Sequence, residues 1–215
     1  MFYHHGGCSG SLDGPGNLTP ILHTVQKDGF ASFPIGTVTA TAALAGELGE
    51  IINETQVRIA SGRTYLTRPD AVPPHTDHPD AKLILWFCNR SDRLGSGANR
   101  LIDARAAIEA LPHGAQRELS QYRLACPERD GLEPKGYHAM FELDSRNVFY
   151  APWLCEDMPC AALKMFEKMI EGRKYQRTIR LQVGEALLVD NRRMLHCRDA
   201  IDPDSPRWLT RFWIK

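Results

Sequence analysis

The spacing of apolar residues changes several times along the chain, and each change predicts an element. GFASF (29–33) has strand character and ends at Pro34. Residues 38–53 place apolar side chains at helical intervals, which predicts a helix closing near Asn53. VRIASG and RTYLT, within 57–67, suit two short strands. The segment 81–92 holds an unbroken apolar run, LILWFC, between polar turns, the pattern of a strand buried on both faces. RLGSGANR (93–100) suits a loop. Residues 103–122 are helical in period, broken at Pro112, whose ring cannot continue a helix. YHAMFEL and NVFYAPW (137–153) predict a hairpin turning at DSR. An amphipathic helix is expected over 160–175, then strands at 177–183 and 186–190 joined across Gly184-Glu185, and a last strand over 206–215.

Many short strands with few helices predict an α+β, β-rich fold: a barrel or sandwich with flanking helices, not alternating βαβ units. Residues 1–20 are rich in Gly, Ser and Pro and predict a flexible arm. The rest, 21–215, suits one domain, and 215 residues are enough to bury a sizeable core.

Charge narrows the field. Lys plus Arg and Asp plus Glu each number 26, so the chain has no electrostatic footprint for nucleic acid or an anionic membrane. There is no apolar run of membrane-spanning length and no apolar core of a signal peptide near the start, so the expected compartment is the cytoplasm. The six cysteines form no CxxC pair and read as free thiols. The expected partner is a small-molecule substrate. A homo-oligomer is left open.

Chemistry concentrates in HTDH (75–78). On extended backbone, residues i and i+2 share a face, so His75 and Asp77 can reach one ion. Together they make two-thirds of a 2-His-1-carboxylate facial triad, the ligand set of non-haem Fe(II). The best third ligand is His196, after the strand ALLVD and a polar turn. Arg211, fifteen residues further on, can hold a dicarboxylate through paired charge-assisted hydrogen bonds.

These stretches resemble the taurine dioxygenase / clavaminate synthase / γ-butyrobetaine hydroxylase superfamily of Fe(II)/2-oxoglutarate-dependent oxygenases. The resemblance rests on His75-Thr76-Asp77, Gly184-Glu185, Asp190-Asn191-Arg192-Arg193, His196-Cys197-Arg198 and Arg207-Trp208-Leu209-Thr210-Arg211, and covers roughly 28–215. It implies a double-stranded β-helix (jelly-roll) core. It implies iron held by His75, Asp77 and His196, with Arg211 on the distal carboxylate of 2-oxoglutarate. Asn99 stands where the family has Ser or Thr touching that carboxylate, in a turn that reads Ser96-Gly97-Ala98-Asn99. Arg207 stands where some members have a second arginine, near the iron-proximal carboxylate or the substrate. The implied reaction consumes O2 and 2-oxoglutarate, releases succinate and CO2, and oxidises an unactivated C–H, by hydroxylation, desaturation or cyclisation, in a small carboxylated or amino-acid-like metabolite. An intact Asp77 argues against halogenation. The chain is short for the family, which suggests a small lid.

Plainer readings apply nearby. His78 points away from Asp77 and suits a supporting place. His138 suits a half-buried strand residue and Cys197 a small buried thiol. Arg198 suits a structural role, gripping a carboxylate such as Asp190. Trp86, Phe149, Trp153 and Trp208 suit core or a pocket wall. Two rival functions stay open: a jelly-roll binding protein without turnover, and a cupin-type metal enzyme that does not use 2-oxoglutarate. Arg211 weighs against the latter, which needs no dicarboxylate anchor.

Overall fold

The LILWFC run becomes β4 (Leu83–Arg90), central in a five-stranded antiparallel sheet. The computed structural model describes residues 18–60, 67–92, 97–126, 136–155 and 160–215. The sheet runs in the order β1 (Phe30–Pro34), β9 (Glu185–Asp190), β4, β11 (Trp208–Ile214), β2 (Ile51–Arg58). A four-stranded sheet runs β3 (Val72–His75), β10 (Met194–Arg198), β5 (Asn99–Asp103), β8 (Gln176–Ile179). Ile84, Trp86 and Cys88 of β4 pack with Leu101 of β5 and Met194 of β10, so the two sheets face each other over a shared core. Leu85, between them in sequence, points outward against α1 (Thr19–Asp28) and α2 (Val38–Leu48). Both faces of β4 are therefore covered, which is why its sequence does not alternate. The outer face of the second sheet is covered by α3 (Ala104–Glu109), α4 (His113–Gln121) and α5 (Ala161–Glu171), through Ala107, Leu119, Leu163 and Phe166. The architecture is the expected β-rich jelly roll with flanking helices.

Several boundaries differ from the sequence reading. Thr19 and Pro20, expected within the arm, instead open α1, with Pro20 in its first turn; residues 1–17, the rest of that expectation apart from Leu18, lie outside the described residues. The helix predicted over 38–53 stops at Leu48. A side chain at Gly49 would collide with the Lys215 carbonyl, and Ile51–Asn53 pair with β11 instead. The first strand predicted within 57–67 is the end of β2, and most of the second lies outside the described residues. The loop predicted over 93–100 already includes the start of β5 at Asn99; residues 93–96 are outside the described set. Pro112 does separate two helices, with Asp103 capping the first through Ala106 N (3.0 Å). The hairpin predicted over 137–153 is reduced to one bridge, Phe141 to Val148, because β7 (Gly136–Ala139) pairs with β6 (Arg123–Cys126). The strands flanking Gly184 are not a hairpin: β8 lies in one sheet and β9 in the other. Gly184 makes that crossing at φ +85°, a conformation costly for any side-chain-bearing residue, and its carbonyl accepts from Ile35 N and Gly36 N. Among the described residues no helix is long and apolar enough to cross a membrane.

Candidate active site

Three neighbouring pieces of backbone deliver the HxD…H residues to one point. β3 is an edge strand whose pairing with β10 shifts register between Val72 and His75, and it tolerates Pro73 and Pro74 at that irregularity. Its last residue, His75, lies directly across from His196 of β10. The chain then leaves the sheet. Thr76 N donates to the Tyr150 carbonyl (2.8 Å), and Tyr150 N donates back to Thr76 Oγ1 (3.0 Å). Asp77 N donates to Asn191 Oδ1 (2.8 Å), while Asn191 Nδ2 donates to the Ala81 (2.8 Å) and His78 (3.3 Å) carbonyls. One buried amide in the β9–β10 turn thus fixes the loop that carries the carboxylate.

The three side chains are buried, and their candidate ligand atoms lie within 4.8 Å of one another. His75 Nε2 is 3.8 Å from Asp77 Oδ1, and His196 Nε2 is 3.5 Å from Asp77 Oδ2. Atoms sharing one ion at ~2.1 Å each sit at most ~4 Å apart, so the set needs little adjustment to close on a metal. His75 Nδ1 donates to the Pro73 carbonyl (2.8 Å), which leaves Nε2 as the ring nitrogen that presents a lone pair toward the triad. Neither ring nitrogen of His196 has a hydrogen-bond partner among the described residues. A buried imidazole without such a partner is costly unless something else takes its lone pair, and a metal does so. On this evidence the residues fit a non-haem iron site.

Asp77 is held from the opposite side. Arg211 Nη1 donates to both carboxylate oxygens (3.1 and 3.0 Å), and Trp213 Nε1 donates to Oδ2 (2.8 Å). Both come from the inner face of β11, and the Arg211 guanidinium stacks 4.8 Å over the Trp213 ring. Burial by itself would raise the Asp77 carboxyl, but Arg211, His196 and His75 outweigh it and hold the group well below its ordinary value. It is an anion at any physiological pH.

Arg207 and Asn99 lie further along the barrel. Arg207 Nη2 donates to Asn99 Oδ1 (2.8 Å), and both line a cavity with Cys88, Leu181 and Leu209. Arg207 is 7% exposed. Burial and the charge of Arg198 push its guanidinium down to about 10. Burial beside a second cation makes that charge costly, a cost that an anion next to it would offset.

The structure therefore brings His75, Asp77 and His196 together, pairs Arg207 with Asn99, and sets Arg211 against Asp77. His78 is turned away, stacked 6.2 Å from Trp213. His138 is on β7 beside Phe149. Cys197 faces the helical layer, where burial pushes its thiol up to about 11. Arg198 does not grip Asp190. Its Nη2 donates to the Arg68 and Asp70 carbonyls (both 2.7 Å), because β10 directs it toward that loop. Of the four aromatics, Trp86 (5.1 Å to the His196 ring) and Trp153 (4.9 Å to His75) flank the triad. Phe149 belongs to the helical core, and Trp208 is turned to the outer face. Asn191, Trp213 and Thr76 were not singled out by sequence. Asn191 and Thr76 lay inside quoted motifs, DNRR and HTD, without a role of their own, and Trp213 carried no signal.

A buried His-Asp-His triad at one end of a two-sheet jelly roll defines the metal-dependent oxygenase class. The chain matches the family model for taurine catabolism dioxygenase TauD, TfdA family, over residues 26–213, and it belongs to that family. It is 32% identical over 158 residues to the γ-butyrobetaine dioxygenase of Pseudomonas sp. (strain AK-1), covering 62% of this chain and 40% of that one. The chain thus spans about two-fifths of that relative's length. An asparagine oxygenase solved with Fe(II), 2S,3S-3-hydroxyasparagine and succinate superposes with a TM-score of 0.74 at 16% identity, over 92% of this chain and 77% of that one. A taurine dioxygenase from Burkholderia xenovorans gives 0.71 at 15% identity, over 94% and 82%. At these identities the two structures establish the fold alone.

Proposed function

We propose that the chain is a non-haem Fe(II)/2-oxoglutarate-dependent dioxygenase that oxidises an unactivated C–H of a small carboxylated, amino-acid-like metabolite, by hydroxylation in the first instance. The observation that carries it is the buried triad of His75, Asp77 and His196, with a second buried cation, Arg207, waiting along the same barrel. Bound iron with 2-oxoglutarate supplies O2 activation and oxidative decarboxylation to succinate and CO2.

The chain's own residues divide the remaining work. Arg211 holds Asp77 in place and keeps it ionised. That contact makes Arg211 a partner of the metal ligand, so we assign the distal carboxylate of 2-oxoglutarate to Arg207 instead. The two arginines are four residues apart on β11 and its approach, ~13 Å of extended chain. That separation suits a cosubstrate anchored at the metal by one end and at the far wall by the other. Asn99 orients Arg207 through Oδ1 and keeps an Nδ2 donor for the same carboxylate. Trp86 and Trp153 shield the triad, and Trp153, 37% exposed, borders its open side.

Charge supports an anionic substrate. Among the described residues, Arg198, Arg207 and Arg211 are buried, and the one buried carboxylate set against them is that of Asp77. A metal dication and a cosubstrate dianion cancel each other, leaving an excess of positive charge that a substrate carboxylate would offset.

The test is an anaerobic titration with Fe(II) and then 2-oxoglutarate, following the weak visible charge-transfer band, in wild type and in H196A, R207A and R211A. The expected result is no band in H196A and a much higher 2-oxoglutarate requirement in R207A. No band in the wild type with iron bound would overturn the cosubstrate reading. A larger shift in R211A than in R207A would return the distal carboxylate to Arg211. A panel of amino acids and carboxylates, read by succinate release, tests the substrate class.

A further inference from the structure

A second basic concavity adjoins the Arg207–Asn99 cavity, with Arg90 and Arg207 lining both. Its rim is a row across three strands. Trp208 of β11 is the register partner of Arg58 on β2 and of Arg90 on β4. The pairing with Arg90 exists because β4 bulges: Leu209 pairs with Cys88, and Asn89 is the extra residue, its amide donating to Thr210 Oγ1 (2.9 Å). A bulge of this kind redirects the side chains beyond it. Both guanidiniums lie 5.9 Å from the centre of the Trp208 ring. The indole is itself fixed, with Nε1 donating to Gln56 Oε1 (2.5 Å). Arg58, Arg90, Trp208, Ser205 and the buried Arg207 enclose a concavity of about 220 Å³.

Cation–π stacking accounts for Arg58 and Arg90 individually, at ~0.5–1 kcal/mol for exposed pairs. It does not account for three arginines converging on one space. None of the three has a carboxylate at ion-pair distance among the described residues, whose ion pairs use Arg100, Arg105, Arg146, Arg193 and Arg211. Three like charges around one concavity repel unless an anion is placed among them.

We infer that Arg58, Arg90, Trp208 and Arg207 form an oxyanion site for a phosphate-class group, separate from the metal centre and coupled to it through Arg207. The two rim arginines supply charge-assisted donors, Ser205 supplies a hydroxyl at the wall, and the indole holds the rim arginines in place. An anion bound there draws on the same guanidinium that faces the inner cavity. It therefore weakens an anion bound inside, and the inner anion weakens it equally.

The probe is inorganic phosphate, titrated calorimetrically into metal-free protein at constant ionic strength. Wild type is expected to bind one phosphate saturably. The R58Q/R90Q variant is expected to bind about tenfold more weakly or less, and R58K/R90K to recover most of the loss. Circular dichroism confirms that the variants are folded, which the exposure of both arginines favours. Absence of saturable phosphate binding, or equal affinity in R58Q/R90Q, overturns the site. The coupling is read in iron-loaded wild type, where phosphate should raise the 2-oxoglutarate needed for half-maximal charge-transfer signal. An unchanged midpoint overturns the coupling. The phosphate arm uses no metal and no 2-oxoglutarate, so it stands or falls apart from the proposed oxygenase activity.

Discussion

Replacing Arg207 by Met separates its two roles. The change keeps the aliphatic stem and removes the charge and its donors. In the metal-free protein, burial and Arg198 push the guanidinium from 12.5 to about 10, a charging cost of roughly 3 kcal/mol. Removing that charge recovers the cost but strands Asn99 Oδ1, which loses its 2.8 Å donor at ~1–3 kcal/mol. The balance is a metal-free variant between unchanged and about 2 kcal/mol more stable, a rise in Tm of up to roughly 8 °C for a chain of this size. The sign with pH follows. A basic group whose folded pKa is depressed destabilises below that pKa, and the penalty fades as pH rises through it. The gap between R207M and wild type should be flat from pH 6 to about 9 and narrow only as pH rises above about 10. Cosubstrate binding moves the other way. Losing paired charge-assisted bonds costs about 3 kcal/mol, or roughly a hundredfold in 2-oxoglutarate half-saturation. The assays are thermal melts of metal-free protein across pH and the anaerobic charge-transfer titration. A variant destabilised by more than ~1 kcal/mol with an unshifted 2-oxoglutarate midpoint would refute both the strain and the cosubstrate assignment.

Three further changes probe the supports. Asp77→Asn should abolish Fe(II) binding. It should also lower metal-free stability by ~3–5 kcal/mol, because Arg211, 1% exposed, is left without its counter-charge; calorimetry and chemical denaturation read the two effects. Asn191→Ala removes the amide that ties Asp77 N to the Ala81 and His78 carbonyls, and should weaken metal affinity ~10–100-fold while the fold persists. Gly97→Ala places a Cβ 2.6 Å from Ile201 Cδ1 and 3.1 Å from Arg207 Cδ at φ +71°. It should cost ~1–2 kcal/mol in stability and raise the 2-oxoglutarate requirement, both measurable on one preparation.

How much of this was legible in the chain depends on how locally each feature is encoded. The two-sided burial of β4 could be read from LILWFC because both flanking layers demand apolar residues at every position. The helix over 38–53 could not be ended correctly. Ile51 and Ile52 keep the helical period, and only pairing with β11, more than 150 residues away, draws them into a strand. β10 was hidden for a related reason. MLHCR reads as the end of a turn, yet it is squeezed between β3 and β5, where alternate side chains serve two different layers.

The same limit shaped the reading of the site. Spacing brought out His75, Asp77, His196 and Arg211, and the family resemblance added Arg207, but neither could order the two arginines. Arg207 immediately precedes β11 and Arg211 lies on it, four positions on, so a period of two treats them alike. What distinguishes them is what stands opposite. Arg211 lies across from Trp86 and beneath the HTD loop, so it meets a carboxylate that the protein itself supplies. Arg207 lies near the mouth and meets an amide, which orients a guanidinium without neutralising it. A buried cation already satisfied by its own protein is part of the scaffold of a site, whereas one left to an amide still needs an anion from outside. On that criterion the proposed place of the dicarboxylate is Arg207, and Trp213, Asn191 and Arg211 together hold Asp77, the proposed ligand, in position before any metal arrives.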